Sequence, residues 1–242
     1  MNNMISQIVD NATFLLVFAA VILVMFLIAY AVEKYASRKN ETSERILSTR
    51  KIVITGMFAA ISTVLMLFEF TVPFAPPGIY KLDFSELPAL IGGFAFGPVV
   101  GVMIEFLKVL LKTLIKGTST AFVGELANFF VGCSFILPAT IIYHLKKTKV
   151  NAVIACAVGT VIITIVGSSF NAFYLLPVFA KMFGMDIEVI IGMGTAVNSH
   201  VTSITDFVLL IVAPLNIIKG IANSIITLFL YKRLSPILKG NK

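Results

Sequence analysis

Long apolar runs separated by short polar connections constrain this chain more than any other feature of its sequence. A helix of about 20 apolar residues crosses the roughly 30 Å of hydrocarbon in a bilayer. Only 13% of the residues are charged, whereas an ordinary soluble domain carries about 25%. The sequence therefore predicts an all-α integral membrane protein of about seven transmembrane helices. The runs lie near 12–32, 52–70, 84–96, 98–115, 125–143, 151–179 and 204–231.

Most of the basic residues fall in alternate connections between these runs. The positive-inside rule assigns such connections to the cytoplasm. With seven spans, the C-terminus is then cytoplasmic and the N-terminal segment 1–10 is extracellular. The placement also accounts for the net charge of +7, so we expect no nucleic-acid partner. The residues concerned are Lys34, Arg38, Lys39, Arg45, Arg50, Lys51, Lys146, Lys147, Lys149, Lys232, Arg233, Lys239 and Lys242.

The first run is separable from the other six. A cleaved signal peptide fits it poorly, because no Lys or Arg precedes it and its apolar stretch is too long. We interpret residues 1–49 as an accessory transmembrane helix with a basic cytoplasmic linker. Residues 50–242 then form a six-helix substrate-binding core with a basic cytoplasmic tail.

The connection after the second run is rich in proline and carries aromatic residues. Phe74, Tyr80 and Phe84 give this outer loop an apolar side able to cover a planar ligand. Asp83 has two interpretations, as a cap of the next helix or as a ligand contact, and Glu86 shares them. The run at 84–96 is short and contains Pro88, Gly92 and Gly93. Because interrupted helices in lipid need neighbours or a cavity to satisfy their backbone, we expect a polar cavity nearby.

Polar side chains inside the apolar runs are the candidates for function, since a charge in the bilayer core costs about 2.5–3.5 kcal/mol on insertion scales. One set shares a helical face and either attracts an anion or forms an intrahelical pair with snorkelling lysines. It comprises Glu105, Lys108, Lys112 and Lys116. Asn128, one turn after Glu125, serves either helix packing or a ligand.

The last two runs carry the remaining candidates. Asn171 lies in the sixth run, and Asn216, Lys219 and Asn223 share one face of the seventh. Lys219 is too far from the polar tail to reach water easily, so it needs a carboxylate, a carbonyl or a ligand acceptor. The sequence therefore favours a binding role for Asn216 and Lys219.

Enzyme motifs are missing from the sequence. It contains no P-loop, no GxSxG and no HExxH, and His144 and His200 lie at opposite faces of the membrane. Cys133 and Cys156 lie within apolar runs and are interpreted as buried hydrophobic residues. We therefore predict no catalytic residues, no metal site and no use of ATP by the chain alone.

An ordered set of motifs gives the core a resemblance to a known family. The pieces are Pro73-Phe-Ala-Pro-Pro, Lys81-Leu-Asp-Phe-Ser-Glu-Leu-Pro, Phe96-Gly-Pro-Val-Val-Gly, Gly124-Glu-Leu-Ala-Asn-Phe, Asn171-Ala-Phe-Tyr-Leu-Leu-Pro and Pro214-Leu-Asn-Ile-Ile-Lys-Gly. Together they resemble the riboflavin-specific substrate-binding (S) component, of RibU type, of an energy-coupling factor (ECF) transporter. The likeness spans residues 50–235, and the helix 12–32 is extra to the usual six.

The resemblance implies a subunit of the bacterial cell membrane that captures riboflavin outside and delivers it inward. Its partners would be one membrane coupling subunit and two ATPases, and it would hold no catalytic cofactor. The polar flavin contacts would be Asn171, Asn216 and Lys219, with Asn128 as a further candidate. The loop would contribute Leu82 and Asp83. The coupling subunit would contact a strip of small residues, Gly56, Ala59 and Ala60, for which packing within the bundle is the alternative.

Several alternatives remain open at this point. The first is an S component for another vitamin (folate, pantothenate or thiamine), or for a phosphorylated flavin that engages Lys112 or Lys116. The second is an intramembrane enzyme that uses Glu105, Glu125 or Asp206 as acid or base. The third is a structural membrane subunit with no ligand. Segment 180–203 is long enough to form an outer lid over any such site.

Overall fold

A computed structural model describes residues 12–39, 46–76 and 80–239. Three expectations fall wholly or partly outside these ranges. They are the extracellular placement of the N-terminal segment 1–10, the middle of the basic linker at 40–45, and the end of the tail at 240–242.

Every predicted apolar run is helical. The first five helices are α1 (Ala12–Lys39), α2 (Thr49–Leu67), α3 (Glu86–Phe96), α4 (Pro98–Lys116) and α5 (Val123–Leu145). The sixth run is one continuous rod of α6 (Lys149–Phe170), the π-helical turn π1 (Asn171–Leu175) and α7 (Leu176–Met182). After α8 (Ile187–Thr195), the last rod consists of α9 (Ile204–Phe207), π2 (Val208–Val212) and α10 (Ala213–Lys239).

Five of the described helical rods are long and apolar enough to cross a membrane by themselves. The other two predicted spans differ for separate reasons: α3 has only 11 residues, and α4 carries Glu105, Lys108, Lys112 and Lys116. Both pack against several other helices, and buried carboxylates and an ammonium group of α3 and α4 pair with one another. Large apolar side chains are exposed on the outer faces of the long rods, and in a multi-pass membrane protein these faces contact lipid. They include Ile52, Val53, Val64, Val161, Ile165, Ile221 and Phe229.

The short helix α3 is the centre of the bundle. It packs against α2, α4, α5 and α10, and all but one of its residues are buried. The expected interruption of this helix is wrong. Pro88 lies in the first turn, where no intrahelical donor is lost. Gly92 and Gly93 are helical and let Ile104 and Thr140 approach the backbone closely.

Helix α1 is docked on the core through a buried carboxylate. Glu33 Oε2 accepts a hydrogen bond from the backbone N–H of Val99, 3.0 Å away, at the start of α4. The same side chain lies 3.5 Å from Lys51 Nζ at the start of α2. Gly97 precedes α4 with a φ of +122°, and a β-carbon there would overlap the Glu33 carboxylate. Glu33 therefore satisfies a free donor at a helix N-terminus, where negative charge is favoured.

The three basic connections meet at one end of the bundle. Lys51 pairs with Glu33, and Lys147 interacts with Glu33 electrostatically. Lys147, Lys149 and Lys232 line a common cavity. The predicted alternation of basic and basic-poor connections thus matches the two ends of the fold.

The loop before α3 closes the opposite end with a two-residue antiparallel ladder. Strand β1 (Phe70–Thr71) pairs with β2 (Lys81–Leu82), with Phe70 opposite Leu82 and Thr71 opposite Lys81. This short ladder is an addition to the predicted all-α fold. Segment 180–203 packs beside the loop, because Ile190, Val201 and Phe207 form one apolar cluster that includes Tyr80.

Candidate functional site

A buried cluster of charges joins the loop, α3, α4 and α10. Lys219 Nζ lies 3.3 Å from Asp83 Oδ2 and 2.8 Å from Glu86 Oε1. Lys108 Nζ lies 3.3 Å from the same Glu86 oxygen and 2.7 Å from Glu105 Oε2. The Lys108 ammonium also donates to Ser85 Oγ at 3.0 Å. The cluster therefore ties the first turn of α3 to two other helices.

Three carboxylates face two ammonium groups in this cluster, so its charges are not fully matched. Within the described residues, Glu86 Oε2 and Glu105 Oε1 accept no hydrogen bond. Burial by itself would raise the pKa of Asp83, but the ammonium groups of Lys219 and Lys108 hold it below its usual value. Buried ion pairs of this kind recover little net stability after desolvation, and removing one partner is costly. The cluster is thus better suited to fixing geometry than to adding stability.

Asn171 begins the π-helical turn π1 and is held by two hydrogen bonds. Its Nδ2 donates to the carbonyl of Gly167 at 2.7 Å, and its Oδ1 accepts from the hydroxyl of Tyr80 at 2.7 Å. The Tyr80 ring packs against Phe207, with centroids 6.0 Å apart. Burial raises the pKa of Tyr80, so its hydroxyl stays protonated and acts as a donor. The loop is therefore fastened to the core helices at Asn171 as well as at Lys219.

Asn216 lies one turn before Lys219 on α10 and against the backbone of α6. A β-carbon at Gly167 would come within 2.8 Å of Asn216 Nδ2. Asn216 is buried, and among the described residues its Nδ2 has no hydrogen-bond partner. A buried amide donor left without a partner costs free energy. This unsatisfied donor, which lies against Gly167, is a group that a ligand could satisfy.

The remaining candidates are placed less centrally. Leu82 lies in β2 opposite Phe70, in the ladder that closes the loop. Asn128 lies on α5, and its Oδ1 is buried without a hydrogen-bond partner in the described part of the chain. The structure thus joins Lys219 to Asp83 and Asn171 to Tyr80 of the loop, and it places Asn216 against Gly167 of α6. It leaves Asn128 on a separate helix.

Residues 50–231 match the family described as ECF transporter, substrate-specific component. The chain belongs to this family. Two relatives with similar sequences are described as riboflavin transporters. The chain is 35% identical to riboflavin transporter RibU of Staphylococcus aureus (strain TCH60), over 78% of this chain and 93% of the relative. It is 29% identical to riboflavin transporter FmnP of Bacillus subtilis (strain 168), over 78% of this chain and 94% of the relative.

A solved structure agrees with the family assignment. It is described as the S component of a bacterial ECF transporter, is 35% identical to this S component and has a TM-score of 0.60. The match covers 78% of this chain and 97% of that chain. The predicted family, the all-α membrane fold and the assignment as a transporter component rather than an enzyme are confirmed.

The lysines in the second half of α4 are paired within the S component. Lys112 Nζ lies 2.9 Å from Glu125 Oε1, and Lys116 Nζ lies 3.2 Å from Glu69 Oε1. Glu69 also pairs with Lys81 of β2. Lys112 is therefore held in a largely buried pair instead of snorkelling outward, whereas Lys116 keeps an exposed side chain beside its carboxylate partner.

The strip of small residues on α2 is divided between two faces. Gly56 and Ala60 are exposed, and no atom would lie within 4 Å of a β-carbon at Gly56. Ala59 is 1% exposed and packs inward. Of the three predicted interface residues, only Gly56 and Ala60 lie on a surface that a partner can reach.

The three carboxylates considered for an enzyme are engaged separately. Glu105 pairs with Lys108, and Glu125 pairs with Lys112. Asp206 Oδ2 accepts hydrogen bonds from Thr202 and Ser203. Within the described ranges, no group of three or more His, Cys, Asp or Glu side chains is placed to hold a metal ion.

Three contacts of the site are not visible in the sequence. The sequence leaves Glu86 open as a helix cap or a ligand contact, but it does not indicate that Lys108 and Lys219 share this carboxylate. Tyr80 is visible as a loop aromatic, but its bond to Asn171 joins residues 91 positions apart. Gly167 gives the one local signal, because a glycine within an apolar helix often marks close packing.

Proposed function

We propose that this chain is the riboflavin-capturing S component of an ECF vitamin transporter. The proposal is supported by the family match and by the two relatives described as riboflavin transporters. The observation that carries it in this chain is the buried, unpartnered amide of Asn216 beside Lys219. An S component needs polar groups that a ligand satisfies, and this donor is one.

The flavin ring has chemistry that suits these residues. Its pyrimidine edge presents two carbonyls and ring nitrogens, and its dimethylbenzene end is apolar. The amides of Asn171 and Asn216 both donate and accept hydrogen bonds, and Lys219 donates to a carbonyl or ribityl oxygen. Small-molecule sites combine a few such groups with apolar walls. We assign these three residues to the polar edge, with Asn128 as a further contact.

The loop takes part in binding by exchanging its own contacts for those of the ligand. The Tyr80 hydroxyl donates a hydrogen bond to Asn171 Oδ1, and Asp83 Oδ2 lies 3.3 Å from Lys219 Nζ. Flavin atoms that bind Asn171 or Lys219 compete with these loop groups. The loop at Leu82 and Asp83 then covers the bound ring.

The orientation of the chain follows from the charge of its two ends. Lys147, Lys149 and Lys232 lie at the end opposite the loop. By the positive-inside rule that end is cytoplasmic, which makes the C-terminus cytoplasmic and the N-terminus extracellular. Riboflavin is then captured from outside, under the loop.

The transport partners are a membrane coupling subunit and two ATPases. The exposed face of α2 offers Gly56 and Ala60 as a strip that a partner helix can approach closely. Residues 50–242 form the substrate-binding unit, and residues 1–49 are accessory to it. The family match begins at residue 50, which supports this boundary.

The first test is direct. The full chain is purified in mild detergent, its visible absorption spectrum is recorded, and any released small molecule is identified after denaturation. We expect a flavin spectrum and released riboflavin. A colourless preparation that fails to quench added flavin fluorescence would contradict the flavin assignment, and folate, pantothenate and thiamine would be tested next.

A matched pair of variants tests the assigned residues. Asn216→Ala removes the unpartnered amide, so we expect flavin affinity to fall about tenfold or more, the loss of roughly one hydrogen bond to the ligand. Asn223→Ala is the control, because Asn223 lies on the same face of α10 and its Nδ2, unlike that of Asn216, has a partner in the carbonyl of Lys219. Fluorescence quenching titrations measure both. Equal affinities for the two variants would refute the role of Asn216.

A further inference from the structure

A cavity of about 430 Å³ opens at the basic end of the bundle, far from the loop. It lies between the end of α5, the start of α6 and the second half of α10. Its volume falls within the range of about 300–1,000 Å³ that is usual for small-molecule sites. None of the residues assigned to flavin binding lines it.

The floor of this cavity is a fixed aromatic group. Tyr143 stacks on Phe94 with centroids 4.5 Å apart, and its hydroxyl lies 3.3 Å from that of Tyr231. The Tyr231 hydroxyl donates to the carbonyl of Phe94 at 3.1 Å. These contacts anchor the floor to the central helix α3, so the cavity is a built feature rather than a gap between mobile side chains.

The mouth of the cavity is basic and its walls are apolar. Lys147, Lys149 and Lys232 line it, and among the described residues no acidic side chain does. Lys147 also interacts with Glu33, so Lys149 and Lys232 are the two lysines of the cavity considered for an anion. Neither Lys149 nor Lys232 pairs with a carboxylate in the described part of the chain. The walls include Ala152, Val153 and Leu228.

The position of the cavity favours an amphiphilic anion over a soluble anion as its ligand. Exposed apolar side chains continue from its rim along α6 and α10 toward the middle of the bundle. They are Val153, Ile154, Ile225 and Phe229. The lysines therefore lie where the hydrocarbon region ends, and basic pockets between helices at that level suit anionic lipid headgroups.

We propose that this cavity binds the headgroup of an anionic phospholipid of the cytoplasmic leaflet. The phosphodiester lies between Lys149 and Lys232, and the acyl chains follow the apolar faces of α6 and α10. Ammonium groups bind phosphate oxygens through charge-assisted hydrogen bonds. The site is independent of flavin binding and adds a lipid ligand to the S component.

The test compares two double variants that remove the same charge. Lys149→Gln with Lys232→Gln removes both lysines of the cavity. Lys146→Gln with Arg233→Gln removes two exposed basic neighbours that do not line it. The full chain is titrated in detergent with phosphatidylglycerol, phosphatidylcholine or inorganic phosphate, and bound lipid is counted by native mass spectrometry alongside the melting temperature.

We expect phosphatidylglycerol, but neither phosphatidylcholine nor phosphate, to bind and to raise the melting temperature of the parent chain. The cavity variant should lose about tenfold or more in apparent lipid affinity, and the neighbour variant should keep it. Equal losses would show a general surface-charge effect and overturn the proposal. An equal response to phosphatidylcholine, or to phosphate alone, would overturn it as well.

A second pair of variants leaves the charge of the chain unchanged and tests whether a lost lipid response comes from the cavity or from a change in fold. Val153→Phe fills the mouth of the cavity and should abolish the phosphatidylglycerol response. Val150→Phe makes the same change at an exposed residue of α6 that does not line the cavity. A retained response in Val153→Phe would contradict the assigned site.

Discussion

At the scale of single residues, the site depends on side chains that are held in place by partners distant in sequence. Lys219 is positioned by Asp83 and Glu86, and Asn171 by Tyr80. Asn216 differs from them, because its side chain is restricted by the backbone of Gly167 and not by another side chain. Its amide lies against Gly167, where even a methyl group has no room.

Gly167→Ala tests that restriction. The added β-carbon would lie 2.8 Å from Asn216 Nδ2, so the flexible amide must move while the helices need not. We expect flavin affinity to fall about tenfold with little change in melting temperature, since alanine is otherwise favoured in helices. Fluorescence titration and thermal unfolding of the purified chain measure the two effects.

Gly192→Ala is the control for that substitution. No atom would lie within 4 Å of a β-carbon at Gly192 in α8. Flavin affinity should therefore stay unchanged. If Gly167→Ala also leaves the affinity unchanged, Asn216 is not positioned by this contact.

At the scale of elements, two attachments decide how the parts of the bundle are held. One is the ion group at the loop end, where Glu69 pairs with Lys81 and Lys116 and so keeps the β1–β2 ladder against α4. The other is the Glu33 carboxylate, which binds the N-terminus of α4 and Lys51 at the other end. Each attachment leads to its own prediction.

The first prediction concerns pH and the loop. Partial burial by itself would raise the pKa of Glu69, but hydrogen bonds from Lys81 and Lys116 hold it below its usual value of 4.5. Because the folded pKa is the lower one, the stabilising contribution is complete at neutral pH and is lost as the pH falls through that lowered pKa. We expect flavin dissociation to be steady across the neutral range and to quicken under acid conditions below pH 4.5.

Glu69→Gln isolates this carboxylate from others that titrate in acid. The variant should release flavin faster at neutral pH and should show a smaller acceleration in acid than the parent chain. Stopped-flow fluorescence of flavin release measures both rates. An identical pH profile for the two chains would mean that Glu69 does not control the loop.

The second prediction concerns the docking of α1. Glu33→Ala leaves the Val99 N–H and the buried Lys51 ammonium without their acceptor, which costs about 1–3 kcal/mol for an unsatisfied buried group. The melting temperature should fall while flavin affinity is kept. Glu188→Ala, which removes an exposed carboxylate from α8, is the control and should change neither quantity.

At the scale of the whole molecule, the two ends of the bundle carry different groups of residues. The end with the loop holds the buried charges and the candidate flavin contacts, and the basic end holds the aromatic floor and the lysine-lined cavity. The central helix α3 spans between them, with Glu86 at its start in the charge cluster and Phe94 near its end in the aromatic group. Helix α1 packs mainly on α4 and α5 and carries none of the candidate contacts.

Deleting residues 1–48 tests the division into accessory and core parts. The flavin candidates remain, so the affinity of the shortened chain should stay within about twofold of the full chain. Its melting temperature should fall, because Val99 and Lys51 lose Glu33 and the apolar faces of α4 and α5 lose their cover. A folded but non-binding product would show that α1 belongs to the substrate-binding unit.

The sequence alone determined the membrane class, the positions of the helices and the family. These rest on local properties: the length of apolar runs, the placement of basic residues and ordered motifs. It also indicated that Lys219 needs a partner, because a lysine far from both polar ends of its helix cannot stay unpaired in lipid. Asn171, Asn216 and Asp83 were predicted as flavin contacts from the family resemblance, and their binding of flavin stays a prediction.

Only the tertiary structure decided which groups meet. Nothing in the local sequence specifies that Glu86 is shared between Lys108 and Lys219, that Tyr80 bonds to Asn171, or that Glu33 binds the start of α4. Each of these contacts joins segments far apart in the chain, and their geometry depends on how the helices pack around α3. The same packing supports α3 as an unbroken central helix, because Ile104 and Thr140 fill the space that Gly92 and Gly93 leave.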